Sequence, residues 1–467
     1  MKINATFFRN KIISLNDSIF YPILLALFSF CIWLVPSPYN IIFGVLYCLF
    51  AFVPLIDKEG RNYLPLLLFL MPASSKEINV SSIPLLAFFI VGSILLSMVL
   101  KIIIYKMPLR RGDLSLPLLG TVIIFLISFI FNIISRNDSS STIAVLYIVG
   151  FLLLILVYVF LSTILGQSNM MMFLSKCIIM LSYVIILELL VYLIRNNFAS
   201  LENVALGWSQ SNGISTILCF SIPFYAIIIN NRKYWYYIFL LIPILFSIVI
   251  LVVDSGILFL ITLLIPLLLI TYKSYGKIYP YISLFIVASF VISFAVLLVF
   301  NEVFTNQIFD VFRNISFTPN SNIRIHFDDY KMIDLFTSNI VLGSSISSIY
   351  IGEDFIFANN TIVSTLVLGG IVGLVFYLIY ELDLYIIWAR KKADIKYIFL
   401  MFLLAVEVIG IIDNVIYNFM NMLFILTCNA CYHNSSRPDD VPIHNDFFVR
   451  KNQITMERSK SDTFIEL

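Results

Sequence analysis

Long apolar runs, each interrupted by a short polar stretch, recur along most of the chain. They fall at 19–36, 39–56, 63–73, 83–105, 115–134, 142–165, 170–194, 212–230, 234–253, 256–272, 278–300, 361–389, 397–412 and 415–432. A helix rises 1.5 Å per residue, so about 20 apolar residues match the hydrocarbon core of a bilayer. Lipid offers no partner for a free backbone amide or carbonyl, so each crossing must be helical. The pattern therefore predicts an all-α, polytopic integral membrane protein. The run at 63–73 and the last two are short or interrupted, which sets the expectation at about 12–14 transmembrane helices. Four regions follow: a bundle of about 11 helices over 1–300, a long outer loop over 301–360, closing helices over 361–432, and a polar, disordered tail over 433–467.

Composition agrees. Of 467 residues, 61% are hydrophobic and 12% charged, with 29 Lys+Arg against 27 Asp+Glu. A soluble domain carries about 25% charged residues, so water-soluble enzymes are excluded, as is a disordered chain. A net charge of +2 argues against nucleic acid as the partner. The six cysteines sit within or at the ends of apolar runs, so no disulfide framework is expected. Cys428-Asn-Ala-Cys431 with His433 has the look of half a metal site, but no second ligand pair exists, and a helix end is the better reading. The first apolar run is long and closely followed by another, which is not the pattern of a cleavable leader.

Orientation follows from the cations. With the N-terminus in the cytoplasm and spans alternating, 23 of the 29 Lys and Arg fall on the cytoplasmic side, the tail included. The outer side keeps Lys76, Arg136, Arg195, Arg313, Arg324 and Lys331. Both termini are then cytoplasmic, and 301–360 is the only long loop, on the outer side. Loops of that length are usually functional or disordered, and its aromatic and branched residues predict a folded one.

Within that loop, Thr318-Pro319-Asn320-Ser321-Asn322 reads as a turn, and 323–336 as a helix capped by Ser321 or Asn322. Arg324 and Asp328 are four apart and share a face, with Lys331 one turn on. His326 lies on a neighbouring face with Asp329 and Tyr330. A helix N-terminus attracts phosphate, and an Arg in its first turn adds a fork of paired donors. His326 with Asp328 or Asp329 is placed to orient or deprotonate a hydroxyl. The plainer alternative is a structural Arg–Asp pair on a solvated helix.

Arg195, at the end of a span, is either an interfacial anchor or a second anion contact. Asn212 opens the next span, as a cap or as a contact for a polar head group. Asp254-Ser255-Gly256 is a tight turn. Gly369-Gly370-Ile-Val-Gly373 has glycines four apart, the spacing for close helix packing in lipid. Glu188 and Glu407 lie inside apolar runs and are functional candidates by default, with no partner that can be named. Polar groups otherwise collect in the outer loop and leave the bilayer midplane nearly bare, unlike a transporter.

Taken in order, these pieces resemble the O-antigen polymerase (Wzy) and O-antigen ligase superfamily of bacterial surface polysaccharide assembly. Gln210-Ser211-Asn212-Gly213 opens a span, and Ser255-Gly256 stands where many relatives have Ser-Arg-Gly. The late outer loop carries Ile323-Arg324-Ile325-His326 and Val341-Leu342-Gly343-Ser344. Asn359-Asn360 then leads into Leu368-Gly369-Gly370-Ile371-Val372-Gly373. Ligases tend to carry a His before the span after the loop, where this chain has Phe357-Ala358-Asn359-Asn360, so the resemblance leans to polymerase. It implies a glycosyltransferase at the periplasmic face of the inner membrane, joining repeat units carried on undecaprenyl pyrophosphate. Arg324, His326 and Asp328 would be catalytic, and Arg195, Asn212, Asp329 and Asn359 would bind substrate. No metal or cofactor is expected. The bilayer and a chain-length regulator are the further partners it suggests. The rival expectations are a ligase that transfers finished glycan to lipid A–core, and a flippase or other transporter.

Overall fold

The computed structural model describes residues 19–36, 39–56, 60–73, 85–112, 114–136, 141–165, 170–196, 206, 211–229, 239–250, 339–344, 350–351, 354–355, 361–389, 402–407, 409–410 and 418–434. The helices are α1 Phe20–Leu34, α2 Asn40–Phe50, α3 Tyr63–Leu68, α4 Leu70–Ala73, α5 Leu85–Ile104, α6 Ser115–Arg136 and α7 Ser141–Leu165. They continue with α8 Met171–Arg195, α9 Ser211–Ile229, α10 Leu241–Ile250, α11 Thr361–Ala389 and α12 Phe419–Asn434. A 3-10 turn, Val53–Ile56, ends the α2 segment. Residues 402–407 and 409–410 are also helical. One departure from the all-α expectation is a small antiparallel pair, β1 Tyr350–Ile351 and β2 Asp354–Phe355, in register Tyr350 to Phe355. The runs expected at 256–272 and 278–300 lie outside the described residues, as does the tail beyond 434.

Among the described residues, three helical stretches are long and apolar enough to cross a membrane: Tyr147–Leu165, Met171–Arg195 and Thr361–Ile387. Their outward faces are apolar too. On α11, Ile371, Val375, Leu378, Leu382 and Ile386 are each more than two-fifths exposed and follow helical spacing. On α6, Leu116, Ile123, Leu126, Ile127 and Ile130 do the same. A helix in water turns a polar face outward; these turn out leucine and isoleucine, as lipid contact requires. Hydroxyls inside the helices bond back to the preceding turn. Thr121 donates to Pro117 O at 3.0 Å, Ser182 to Ile178 O at 3.0 Å and Thr365 to Thr361 O at 2.7 Å.

Hydrogen bonds fix the helix directions. Tyr21 OH donates to Phe50 O at 2.9 Å, joining the start of α1 to the end of α2, so these two run antiparallel. Lys101, fully buried near the end of α5, donates from Nζ to Pro54 O at 2.7 Å. Its ammonium also lies 5.3 Å from the Tyr63 ring centre and 5.9 Å from that of Tyr105. Tyr105 OH donates to Leu55 O at 3.0 Å. Helix α5 therefore ends where the α2 segment ends. The segment after α5 joins the end of α7: Arg110 N–H donates to Thr163 Oγ1 at 2.9 Å, and Gly112, at φ 70°, packs on the Tyr158 ring. One end of the bundle thus gathers Arg61, Lys101, Lys106, Arg110 and Arg111. Arg195 sits at the opposite end, bonded to the last turn of α1. These cations thus group at two opposite ends of the bundle.

The run at 63–73 is short and interrupted, as its sequence suggested. It folds as α3 and α4, broken at Phe69, and every residue from Tyr63 to Ala73 is buried by protein. At 1.5 Å per residue it is about 16 Å long, half a bilayer core. Pro65 and Pro72 cannot donate, which weakens the helix, and neighbours engage its polar groups. Tyr47 OH donates to Leu66 O at 2.7 Å, Ser29 Oγ donates to Phe69 O at 2.8 Å, and Tyr63 OH pairs with Ser97 Oγ at 2.7 Å. Elsewhere rings fill the joints. Phe419 of α12 packs on Gly150 of α7 between Tyr147 and Phe151, at centroid distances of 4.8 and 5.2 Å.

If the outer face of α11 meets hydrocarbon, Leu378→Asp should cost about 2.5–3.5 kcal/mol of insertion. Quantifying the protein in the membrane fraction should show it severely depleted, with Leu378→Met at the normal level; equal levels of the two variants would exclude lipid contact there.

Candidate functional site at a loop–helix junction

Helix α11 is not continuous. Gly370 has φ 63° and ψ −160°, a conformation essentially confined to glycine, and it breaks the helix. The segment Asn339–Ser344 docks into the break. Ile371 N–H donates to Ile340 O at 3.0 Å and Val372 N–H to Val341 O at 3.3 Å, while Ser344 N–H donates to Val367 O at 2.7 Å. The segment is a tight turn in its own right. Gly343 N–H donates to Asn339 O at 2.7 Å, and Leu342 N–H donates to Asn339 Oδ1 at 3.1 Å. Gly343 has φ 73°, and a Cβ on it would lie 2.6 Å from both Gly370 N and Val367 O. Both glycines are therefore required, by backbone angle and by contact. Ser128 of α6 donates to Gly343 O at 3.4 Å, and Gly343 and Ser344 are buried. Ile340 and Val341 are exposed, so the turn shows an apolar edge outward.

The glycine motif thus divides its work. Gly369 packs on Phe125 and Ile124 of α6, as helix-packing spacing predicts, and Gly373 lies beside the same two side chains. Gly370 does something else: it opens the helix to receive Val341-Leu342-Gly343-Ser344. Packing alone does not describe the motif.

Arg195 ends α8 and is exposed. Its Nη2 donates to Leu34 O at 3.3 Å, and its guanidinium carbon lies 6.0 Å from the Trp33 ring centre. Trp33 Nε1–H in turn donates to Leu206 O at 2.7 Å. The C-terminal carbonyl of α1 lies at the negative end of that helix, which suits a cation. One donor of a five-donor fork is used here. The anchoring role is thus present, and the side chain remains accessible to an anion.

Asn212 lies inside the first turn of α9, which begins at Ser211, rather than at the cap position. Arg324, His326, Asp328, Asp329 and Asn359 lie outside the described residues, as does the helix expected over 323–336. The turn at 254–256 does too.

The interior is less bare than the sequence suggests. Glu407 has a neighbour: its carboxyl lies beside that of Glu381 on α11, and Tyr377 is also beside Glu381. Oε2 of Glu381 and Oε1 of Glu407 are buried and make no hydrogen bond. Tyr377 also lines a small apolar cavity with Thr121, Phe125, Phe151, Tyr380 and Met422. Glu188 is fully buried in α8, and Asn421 and Asn429 are buried in α12. Sequence reasoning passed over Glu381 and Lys101, both near span ends, where charge reads as interfacial. Their signal was spacing: Glu381 is four residues after Tyr377, and Lys101 is four before Tyr105.

Cys428 and Cys431 are buried free thiols within α12. Among the described residues, no group of three or more His, Cys, Asp or Glu is placed to hold a metal.

Compared with known proteins, the chain matches no family model and no curated protein.

The carboxyl pair makes a stability prediction. Glu407→Ala leaves the Glu381 carboxyl without that partner inside the bundle and should cost about 1–3 kcal/mol, whereas Glu407→Gln keeps a hydrogen-bonding group and should cost less. Thermal unfolding of the detergent-solubilised protein ranks the two; equal midpoints would rule out the contact.

Proposed function

We propose that this chain is a multi-pass polymerase of bacterial surface polysaccharide, joining repeat units carried on undecaprenyl pyrophosphate at the outer face of the inner membrane. One observation carries most weight. Two pieces of the motif order that suggests this family, Val341-Leu342-Gly343-Ser344 and Leu368-Gly369-Gly370-Ile371-Val372-Gly373, meet through backbone hydrogen bonds. A long outer loop anchored into the bundle in this way would hold cations above lipid while a polyprenol tail stays in it. Accessible Arg195, at the end opposite the main cation cluster, supports the same sidedness.

In the proposed reaction a sugar hydroxyl of the acceptor attacks the anomeric carbon of the donor glycan. The bond from that carbon to the pyrophosphate oxygen breaks, and undecaprenyl pyrophosphate leaves. His326 or Asp328 takes the hydroxyl proton. Arg324 and Arg195 stabilise the charge developing on the leaving group, which is where fixed positive charge contributes most. Arg is suited to this because its planar fork bonds two phosphate oxygens at once.

A second reading has its own support. Carboxyls brought together within an apolar bundle are the kind of group that lines ion and proton pathways. Glu381, Glu407 and the adjacent Tyr377 therefore favour a lipid-linked oligosaccharide flippase or transporter.

Deleting the gene and resolving the surface glycan by size separates these. A polymerase defect leaves single repeat units on the lipid core, a ligase defect leaves no capped core, and a transport defect leaves lipid-linked units on the cytoplasmic side. Complementation with Arg324→Ala or Arg324→Lys should both fail to restore long chains, because Lys cannot reproduce the fork. A normal ladder in the Lys variant, at normal protein level, removes the paired-bond role of Arg324.

A further inference from the structure

The joint at Gly370 joins two segments that each have another way to satisfy their backbone. In an unbroken helix, Ile371 N–H donates to Val367 O and Val372 N–H to Leu368 O. In the structure the loop has taken these places. Ile340 O and Val341 O receive the two amides, and Ser344 N–H occupies Val367 O. The loop has substituted itself for the preceding turn of the helix. Were it to withdraw, α11 could recover both amides by returning Gly370 to helical angles. Only the loop's own groups would then have to find water. Hydrocarbon does not tolerate unsatisfied backbone, so a joint inside a membrane can open only if such a substitute exists.

From this geometry we infer that Asn339–Ser344 is a removable strap, exchanging with the intrahelical hydrogen bonds of α11. Gly343 and Gly370 are the two positions that permit the docked state. The loop is thereby held at the bundle when docked and released when α11 closes on itself. The turn around Asn339 lets the strap dock as a preformed unit, since Asn339 O and Oδ1 bond the amides of Gly343 and Leu342 within it. Ser128 Oγ, at 3.4 Å from Gly343 O, is a fourth contact that the released state loses. The role of the strap in positioning cations over a pyrophosphate rests on the polymerase reading; the exchange itself does not.

Hydrogen–deuterium exchange of the full-length protein in lipid nanodiscs tests this, with fragmentation to resolve Ser344, Ile371 and Val372. Gly370→Ala disfavours the break and Gly343→Ala disfavours docking while leaving Gly370 free to become helical. In both, Ser344 should exchange at least tenfold faster than in the wild type, while Ile371 and Val372 remain protected by their own helix. Loss of protection at all three sites together, or no change at any, overturns the exchange, because the segment is then a fixed part of the fold. If Gly370→Ala does not accumulate, Gly343→Ala decides alone. The glycan ladder of the same variants separates the two ideas. The exchange signature with an unchanged ladder counts against the polymerase role and leaves the strap standing.

Discussion

Where water is absent, an amide hydrogen must find its oxygen within the protein. Most of what is unusual in this bundle follows from that constraint. Buried prolines in α3 and α4 interrupt the regular ladder, and hydroxyls from α1, α2 and α5 reach that segment. A fully buried lysine closes the end of the α2 segment by donating to Pro54 O. Trp33 and Arg195 engage carbonyls at the opposite end. The same rule makes the break at Gly370 possible, since the loop completes the ladder that the helix gives up.

The constraint also explains why glycine is required on both sides of the joint between strap and helix. The strap and the helix approach until backbone touches backbone, and both chains turn through left-handed angles where they meet. No side chain can stand between them. Gly369 and Gly373 answer a looser demand, that of Phe125 and Ile124 lying close against a helix.

The sequence was most informative where the membrane alone determines the outcome. The run at 361–389 coincides with Thr361–Ala389, and 170–194 with Met171–Arg195 to within a residue. Composition could not separate burial by lipid from burial by protein, so it did not show that 63–73 is buried by protein along its length. The glycines near 370 read as packing residues, because the need for a positive φ comes from a segment elsewhere in the chain. Glu407 was visible as an anomaly, but Glu381 was not, since a carboxylate near a helix end has an ordinary explanation. The partnership of these two depends on which helices are neighbours, which periodicity does not encode. The loop cations proposed for chemistry are set by a local pattern, four residues along a helix, and that pattern carries no information about what lies across from it.

The short pair α3–α4 has a consequence for biogenesis. Eleven residues with two prolines make a poor candidate for independent entry into a bilayer, and this segment is packed against α1, α8 and α12. The last of these follows it by more than 300 residues along the chain. Until α12 is made, the α3–α4 segment lacks one of the neighbours it packs against in the fold.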